Sequence, residues 1–387
     1  MNVRIYPVTI CGRRFSMKLI HIADPHLGAS PDAGHPWSKS RADSLWQTFA
    51  RAVARAEEEQ ADLLLIAGDL FHRQPLLREL KEVNALFSRL THTKVVMIAG
   101  NHDCITDNSN YRQFSWCHQV TFFQDTQLQK IRFPQLHTTV YGRSYHTHED
   151  REPLYTPVPL EPEEDIHILL AHGGDPLHRP YNRTRLSQAG FHYVALGHIH
   201  KPDMDFSDRI VSPGSLEPIE PSDYGPHGFV IADVTRERTQ VRWIPFASAE
   251  YIPVEFRVQP STTSVILTET ILKTIRQKGE NNIFRIRLTG RKDPDIQFGQ
   301  TFSGGIPTAL SSPELKILEF QDLTEPDYDF ANLARIHADD LIGAYIKALT
   351  SGENMPVGQN DSGQEKQIRE KALYYGVKAL LDTTQGR

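Results

Sequence analysis

Residues 63–72 read LLLIAGDLFH, an apolar run of strand length that ends on Gly68 and passes at once to Asp69 and His72. The same construction recurs on either side of it: LIHIADPHLG at 19–28, VVMIAGNHD at 95–103, ILLAHGG at 168–174 and YVALGHIH at 193–200. Each suits a buried strand running into a tight turn. A parallel-type sheet gathers its ligand site at the carboxyl ends of its strands. The five strand ends therefore bring Asp24, His26, Asp69, Asn101, His172, His198 and His200 toward one place. Carboxylate, amide and imidazole groups without a thiolate suit a pair of divalent metal ions. Singly, each piece has a plainer use: a strand-end histidine as a satisfied structural residue, an Asp as a helix cap or turn former. Their joint occurrence, each after a predicted strand, outweighs that use.

Working outward, strands alternate with helical patterns from Met17 onward. ADSLWQTFARAVARAEEE carries Leu45, Trp46, Phe49 and Val53 at helical spacing, and LLRELKEVNALFSRL is a second amphipathic helix. The β-α-β-α-β order predicts an α/β layer structure with right-handed crossovers. After His200, RIVSPGSLE, HGFVIADVT and TQVRWIPF are extended runs without helices between them, expected as an antiparallel continuation, with a second sheet packed on the first as one form of it. IPVEFRV, a helix-like SVILTETILKTIRQKG, NIFRIRLTG and LKILEF suggest a small α+β unit. The expected divisions are an N-terminal extension (or a start assigned too early, since Met17 precedes the first strand) at 1–16, the main domain at 17–250, a small α+β domain at 251–324 and a helical region with a polar linker, SGENMPVGQNDSGQ, at 325–387.

The chain has 387 residues, 39% hydrophobic and 23% charged, a globular composition. No apolar stretch approaches the roughly 20 residues of a membrane span, and the start lacks the pattern of a secretory signal. Three cysteines without CxxC spacing argue against a disulfide framework or a thiolate zinc site and fit a reducing cytoplasm. Cys104 reads as a passive small residue, with a reactive thiol as the alternative. A net charge of −6 does not advertise nucleic-acid binding but leaves room for a local basic patch.

In this order, the DPH, GDLFH, GNHD, H and GHIH blocks resemble the calcineurin-like metallophosphoesterase superfamily. The FH of GDLFHRQP, with SPGSLEP after GHIHKP, resembles the SbcD and YhaO type of DNA-repair exonuclease. The resemblance covers about residues 17–235. It implies a four-layer α/β/β/α sandwich, with the small following domain as a cap that contacts DNA, and C-terminal helices beyond it. It further implies one metal held by Asp24, His26 and His200, a second held by Asn101, His172 and His198, and Asp69 bridging, with manganese favoured. In such a site, ions roughly 3.5–4 Å apart lower the pKa of a shared water and clamp phosphate oxygens. The implied catalytic residues are His102, to stabilise the transition state or protonate the leaving group, His72 beside the phosphate, and Asp103 orienting His102.

The metal set specifies phosphoester hydrolysis and leaves the ester open. The reading favoured is a DNA exonuclease, with endonuclease activity as an addition, in DNA repair or degradation. The alternatives are a small-nucleotide phosphodiesterase or phosphatase and a metal-binding scaffold. Within HRPYNRTR, Arg179, Arg183 and Arg185 can bind backbone phosphates, and Tyr181 can stack on a base; an ordinary solvated loop is the other reading. The expected partners are DNA, an SMC-like ATPase subunit and a second copy of the chain, with no membrane. EKQIREKALYYGVKALLDT is an apolar-striped helix that docks on its own chain or on the ATPase.

Overall fold

The quoted apolar runs form parallel strands, because side chains with no polar group leave only the backbone to satisfy, and neighbouring strands do so along their full length. The computed structural model describes residues 16–296, 298, 307–312, 314–351 and 363–385. Nearly all of the expected N-terminal extension, and the linker residues 352–362, lie outside them. The chain divides into two units. The first comprises Met1–Pro253, Lys278–Arg285 and Pro313–Leu318, the second Val254–Gln277, Ile286–Ser312 and Glu319–Arg387.

In the first unit, β1 (Met17–Ile22), β2 (Leu63–Ala67) and β3 (Lys94–Ile98) alternate with α1 (Ser38–Glu58) and α2 (Leu77–Phe87). β4 (Val120–Phe123) extends the parallel set, and β10 (Gly228–Val234) and β11 (Thr239–Pro245) close the other edge antiparallel, in the order β11-β10-β1-β2-β3-β4. A second sheet has the order β5-β6-β7-β8-β9, from β5 (Gln129–Phe133), β6 (Thr138–Gly142), β7 (Ile166–His172), β8 (Tyr193–Gly197) and β9 (Ile210–Val211).

Met17, Leu19, Leu65 and Val96 from the first sheet pack with Val140, Ile168, Leu170 and Ala195 from the second, so the sheets meet face to face. The outer face of the first sheet is covered by α1 and α2 through Leu45, Phe49, Leu80, Val83 and Phe87. The outer face of the second carries Leu169, Val194 and Leu196 under Leu186 of the short helix α3 (Arg183–Ser187) and the Leu154 region. The layers are those of a metallophosphoesterase sandwich, with a thin fourth layer. One expectation needs correcting. RIVSPGSLE does not join an antiparallel continuation: its strand β9 lies parallel to β8. Only HGFVIADVT and TQVRWIPF continue antiparallel, and they do so on the first sheet.

A third sheet has the order β12-β13-β14, from β12 (Tyr251–Val258), β13 (Ile283–Lys292) and β14 (Ile317–Asp322), with β15 (Glu325–Pro326) beside β13. In the second unit, α4 (Ser264–Lys278) buries Leu267, Ile271 and Ile275, one stripe at helical spacing. Farther on, α7 (Gly363–Gln385) packs Val377 against Ile342 and Ile346 of α6 (Leu341–Thr350), with Leu333 of α5 (Phe330–Ile336) beside them. Gly376 permits that approach, since a Cβ there would collide with the Tyr345 ring. The stripe of α7 is thus partly spent on its own chain, while Ile368 and Tyr375 stay exposed. No helix among the described residues is long and apolar enough to cross a membrane.

Candidate metal centre

All five decorated strand ends open on one side of the two packed sheets. Asp24 follows β1, Asp69 follows β2, Asn101 follows β3, His172 ends β7 and His198 follows β8. The parallel pairing of β1 with β2 continues into the turns: His26 N donates to Asp69 O at 3.0 Å, and Leu27 N to Leu70 O at 2.9 Å. Four of the candidate ligands sit in the left-handed backbone region, Asp24 (φ 51), His26 (φ 46), Asp69 (φ 47) and His198 (φ 97). Conformations of that kind persist only where the surroundings over-determine them, and they cluster at functional sites. Gly68 and Gly100 are fixed by space: a Cβ on Gly68 would lie 2.5 Å from His172 Nδ1, and one on Gly100 2.2 Å from Asp69 Oδ1.

Of four groups among the described residues whose ligand atoms lie within 4.8 Å of one another, two consist of candidate ligands, Asp24, His26 and His200, and Asp69, His172 and His198; the others are His26, His72 and His102, and Asp175, His178 and His198. His26 Nε2 and His200 Nε2 face each other at 3.0 Å. Asn101 Oδ1 is 2.9 Å from His172 Nε2 and 3.2 Å from His198 Nδ1. Asp69 Oδ2 lies between the sets, 3.4 Å from His172 Nε2 and 3.8 Å from His26 Nε2. Its other oxygen accepts from His102 N at 2.8 Å. Asp24 accepts from His198 N through both oxygens, at 2.9 and 3.1 Å. All seven residues are brought together, and the donor chemistry fits divalent cations: oxygens and imidazole nitrogens, several fully buried, gathered around shared points.

The electrostatics are those of buried acids and imidazoles held against one another. Burial raises the Asp24 carboxyl to about 6, partly offset by His172 and His200. Burial also pushes Asp69 upward, but His172, His26 and His102 outweigh it and hold the carboxyl well below the usual range. His172 is lowered by burial and raised more by Asp69 and Asp24, to about 9. His198 falls to about 4 through burial and the neighbouring His172. His26 is held well below its ordinary value, chiefly by burial.

His72 and His102 complete the mouth. Their rings stack with centroids 5.0 Å apart, and His26 stands edge-on to His102 at 4.9 Å. His102 Nδ1 lies 3.2 Å from the His72 carbonyl oxygen. That geometry corrects the expectation for Asp103. Its carboxylate accepts from Gly100 N at 2.8 Å, Phe71 N at 3.1 Å and Tyr111 Oη at 2.8 Å, and does not reach the His102 ring. Asp103 instead ties the Asn101 turn to the Asp69 turn. Burial, with Asp69 nearby, raises it to about 7.

The basic loop also differs from expectation. Arg179 is buried under the Tyr145 ring, and its guanidinium donates to Asp150 at 2.6 Å and to the Ser144 carbonyl at 2.8 Å. Arg183 is clamped by Asp203 at 2.6 Å and Asp208 at 2.5 Å. Both lend their donors to the fold, so neither stands ready for a phosphate. Tyr181 packs near Gly174, beside the His172 turn, and Arg185 is exposed on α3. Cys104 is buried, with its thiol raised by burial to about 11, and reads as inert. Two carboxylates escaped notice in the sequence: Asp175, on His198 and His178, and Asp223, on His200. A D-x-x-H spacing directly after HGG was the available signal for the first; nothing in the sequence marked the second.

Residues 17–202 match the calcineurin-like phosphoesterase family. Among curated proteins, the chain is similar to an uncharacterized metallophosphoesterase, YhaO, of Bacillus subtilis, 27% identical over 240 residues (57% of this chain, 58% of the relative). It is similar as well to DNA double-strand break repair proteins named Mre11. That of Archaeoglobus fulgidus is 29% identical over 229 residues, 52% of this chain and 50% of the relative. That of Methanocaldococcus jannaschii is 24% identical over 362 residues, 87% and 96% respectively. The chain spans about half the length of the first two of these relatives.

Proposed function

We propose, for a chain whose residues 17–202 form a calcineurin-like metallophosphoesterase domain, that the phosphoester it hydrolyses is the DNA backbone, in an exonuclease (with endonuclease activity as an addition) of DNA repair or degradation. One observation carries the hydrolytic reading: Asp69 Oδ2 lies between two converging ligand sets, 3.4 Å from His172 and 3.8 Å from His26. The choice of DNA is supported by the Mre11-named relatives and by the FH sequence at 71–72.

In this reading Asp24, His26 and His200 would hold one ion and Asn101, His172 and His198 the other, with Asp69 standing between the two sets and manganese as the metal. Two such ions supply a lowered pKa for the attacking water and a clamp for phosphate oxygens. The chain's own groups do the rest. His102, whose Nδ1 lies 3.2 Å from the His72 carbonyl oxygen, would pass a proton from Nε2 to the leaving oxygen. His72 stacks on that ring and fixes its plane against the mouth. Asp103 sets the spacing of the Asp69 and Asn101 turns. An SMC-like ATPase remains the proposed partner, with the exposed Ile368 and Tyr375 of α7 as the contact; copurification that survives deletion of residues 365–387 counts against that contact.

The deciding experiment is a substrate panel with manganese: labelled double- and single-stranded DNA, cyclic nucleotides and a phosphomonoester. DNA cleavage is expected. Strong cyclic-nucleotide turnover without DNA cleavage replaces this reading with a small-nucleotide phosphodiesterase.

A further inference from the structure

The two histidines of GHIH present opposite ring nitrogens to the centre. His198 turns Nδ1 toward Asn101 Oδ1 at 3.2 Å, and its Nε2 lies 2.6 Å from Asp175 Oδ2. His200 turns Nε2 toward His26 Nε2 at 3.0 Å, and its Nδ1 lies 3.2 Å from Asp223 Oδ2. Each ring therefore has one nitrogen in a ligand set and the other on a carboxylate. An imidazole that binds a cation must offer a lone pair, so its proton sits on the opposite nitrogen. A carboxylate at that nitrogen fixes the tautomer, orients the ring and raises its basicity as a ligand.

Both carboxylates are themselves held in place. Asp223 Oδ2 also accepts from Ile219 N and Glu220 N, each at 3.0 Å. Asp175 Oδ1 accepts from Leu177 N at 2.7 Å and His178 N at 3.0 Å, and His178 Nδ1 stands 2.8 Å from Oδ2. His172 has a different device, the Ala67 carbonyl oxygen 2.9 Å from its Nδ1.

We infer that Asp175 and Asp223 are positioning residues, each serving one ion: Asp175 through His198 for the ion held with Asn101 and His172, and Asp223 through His200 for the ion held with Asp24 and His26. The inference rests on the two-ion reading proposed above. A competing use exists for Asp175, since Asp175, His178 and His198 also place ligand atoms within 4.8 Å of one another. A third ion there needs His198 to give up its Nε2 proton while Nδ1 serves the centre, which makes the ring an anion.

The test uses the full chain, stripped of metal, titrated with manganese by calorimetry and loaded with cadmium-113 for NMR. The wild type is expected to bind two ions and give two cadmium resonances. Asp175→Ala is expected to weaken one ion by about 10–100-fold and to move one resonance. Asp223→Ala is expected to weaken the other ion and move the other resonance. Because Asp175 also closes the 175–178 turn, Asp175→Asn and Asp223→Asn serve as second variants. The amide oxygen still accepts from the ring N–H, so most of the affinity returns, which a collapsed loop does not allow. Loss of both ions alike in either Ala variant, or of neither, overturns the inference. So does a third wild-type ion that Asp175→Ala removes. A wild-type chain that binds no ion overturns the two-ion reading itself, and that failure is seen before any variant is made.

Discussion

The two sheets of the first unit bring different chemistry to the centre they share. The first supplies every oxygen ligand, from Asp24, Asp69 and Asn101, and one imidazole, from His26. The second supplies imidazoles alone, from His172, His198 and His200. Their backing differs too: two long helices cover the first, a five-residue helix the second. Both carboxylates thus lie on the sheet backed by two helices, while three of the four imidazoles come from the sheet with the thinner cover. Each proposed ion would draw on both sheets, so the ions would act as cross-links between them.

The most severe way to break this comparison is Asp69→Ala, which removes the oxygen between the two ligand sets. Both ions and all hydrolysis are expected to go, read by metal content and turnover; two full-occupancy ions in that variant refute the bridge. His102→Ala lies outside both ligand sets and should keep both metals while turnover falls about 10²–10⁴-fold. Metal loss with unchanged turnover in the remaining loaded enzyme refutes a proton-transfer role.

A link between the sheets that needs no metal is His21 of β1, whose Nδ1 lies 3.0 Å from Tyr193 Oη of β8. Burial lowers His21 from 6.5 to about 3. The folded state therefore refuses a proton that the unfolded chain takes. Its contribution, on the order of 5 kcal/mol, is complete above pH 6.5 and is lost as pH falls toward 3. His21→Gln, which cannot titrate, should flatten that limb in acid-unfolding curves of the metal-free protein; an unchanged limb contradicts the assignment. Chelation should lower the melting temperature, since ions at 100 times their dissociation constant stabilise by about 2.7 kcal/mol. An unmoved melt means the sheets hold together without them. The smallest effect expected is for Arg185→Ala on α3: slightly weaker DNA binding, with the salt slope reduced by about 1. Arg183→Ala should instead perturb its Asp203 and Asp208 contacts and lower stability.

Much of the first unit was legible because β1, β2, β3, β7 and β8 are continuous apolar runs with polar ends, a pattern that strands buried on both faces require. β5 and β6 were not. QKIRF is a half-exposed edge strand, and TTVYG buries two threonines whose hydroxyls find partners only in the fold. The candidate ligands were legible for the same reason as the strands, since each is fixed to a strand end. Residues acting through loops were not. Asp103 sits next to His102 in sequence, but a tight turn sends neighbouring side chains apart, and its carboxylate serves backbone N–H groups instead. Arg179 reads as a surface base and is buried, because Asp150, 29 residues earlier, returns to meet it. Asp175 and Asp223 look like turn formers and are, yet each also faces a histidine across the fold.

The left-handed backbone at Asp24, His26, Asp69 and His198 makes the centre the part of the chain where folding and function pull apart. Such a conformation costs a non-glycine residue about 1–3 kcal/mol, and glycine relieves it while deleting the ligand. Laboratory evolution of this chain that screens only for heat resistance, with metal withheld, should tolerate glycine at these four positions. A screen that also demands turnover should leave them untouched and seek its gains on the helices behind the first sheet.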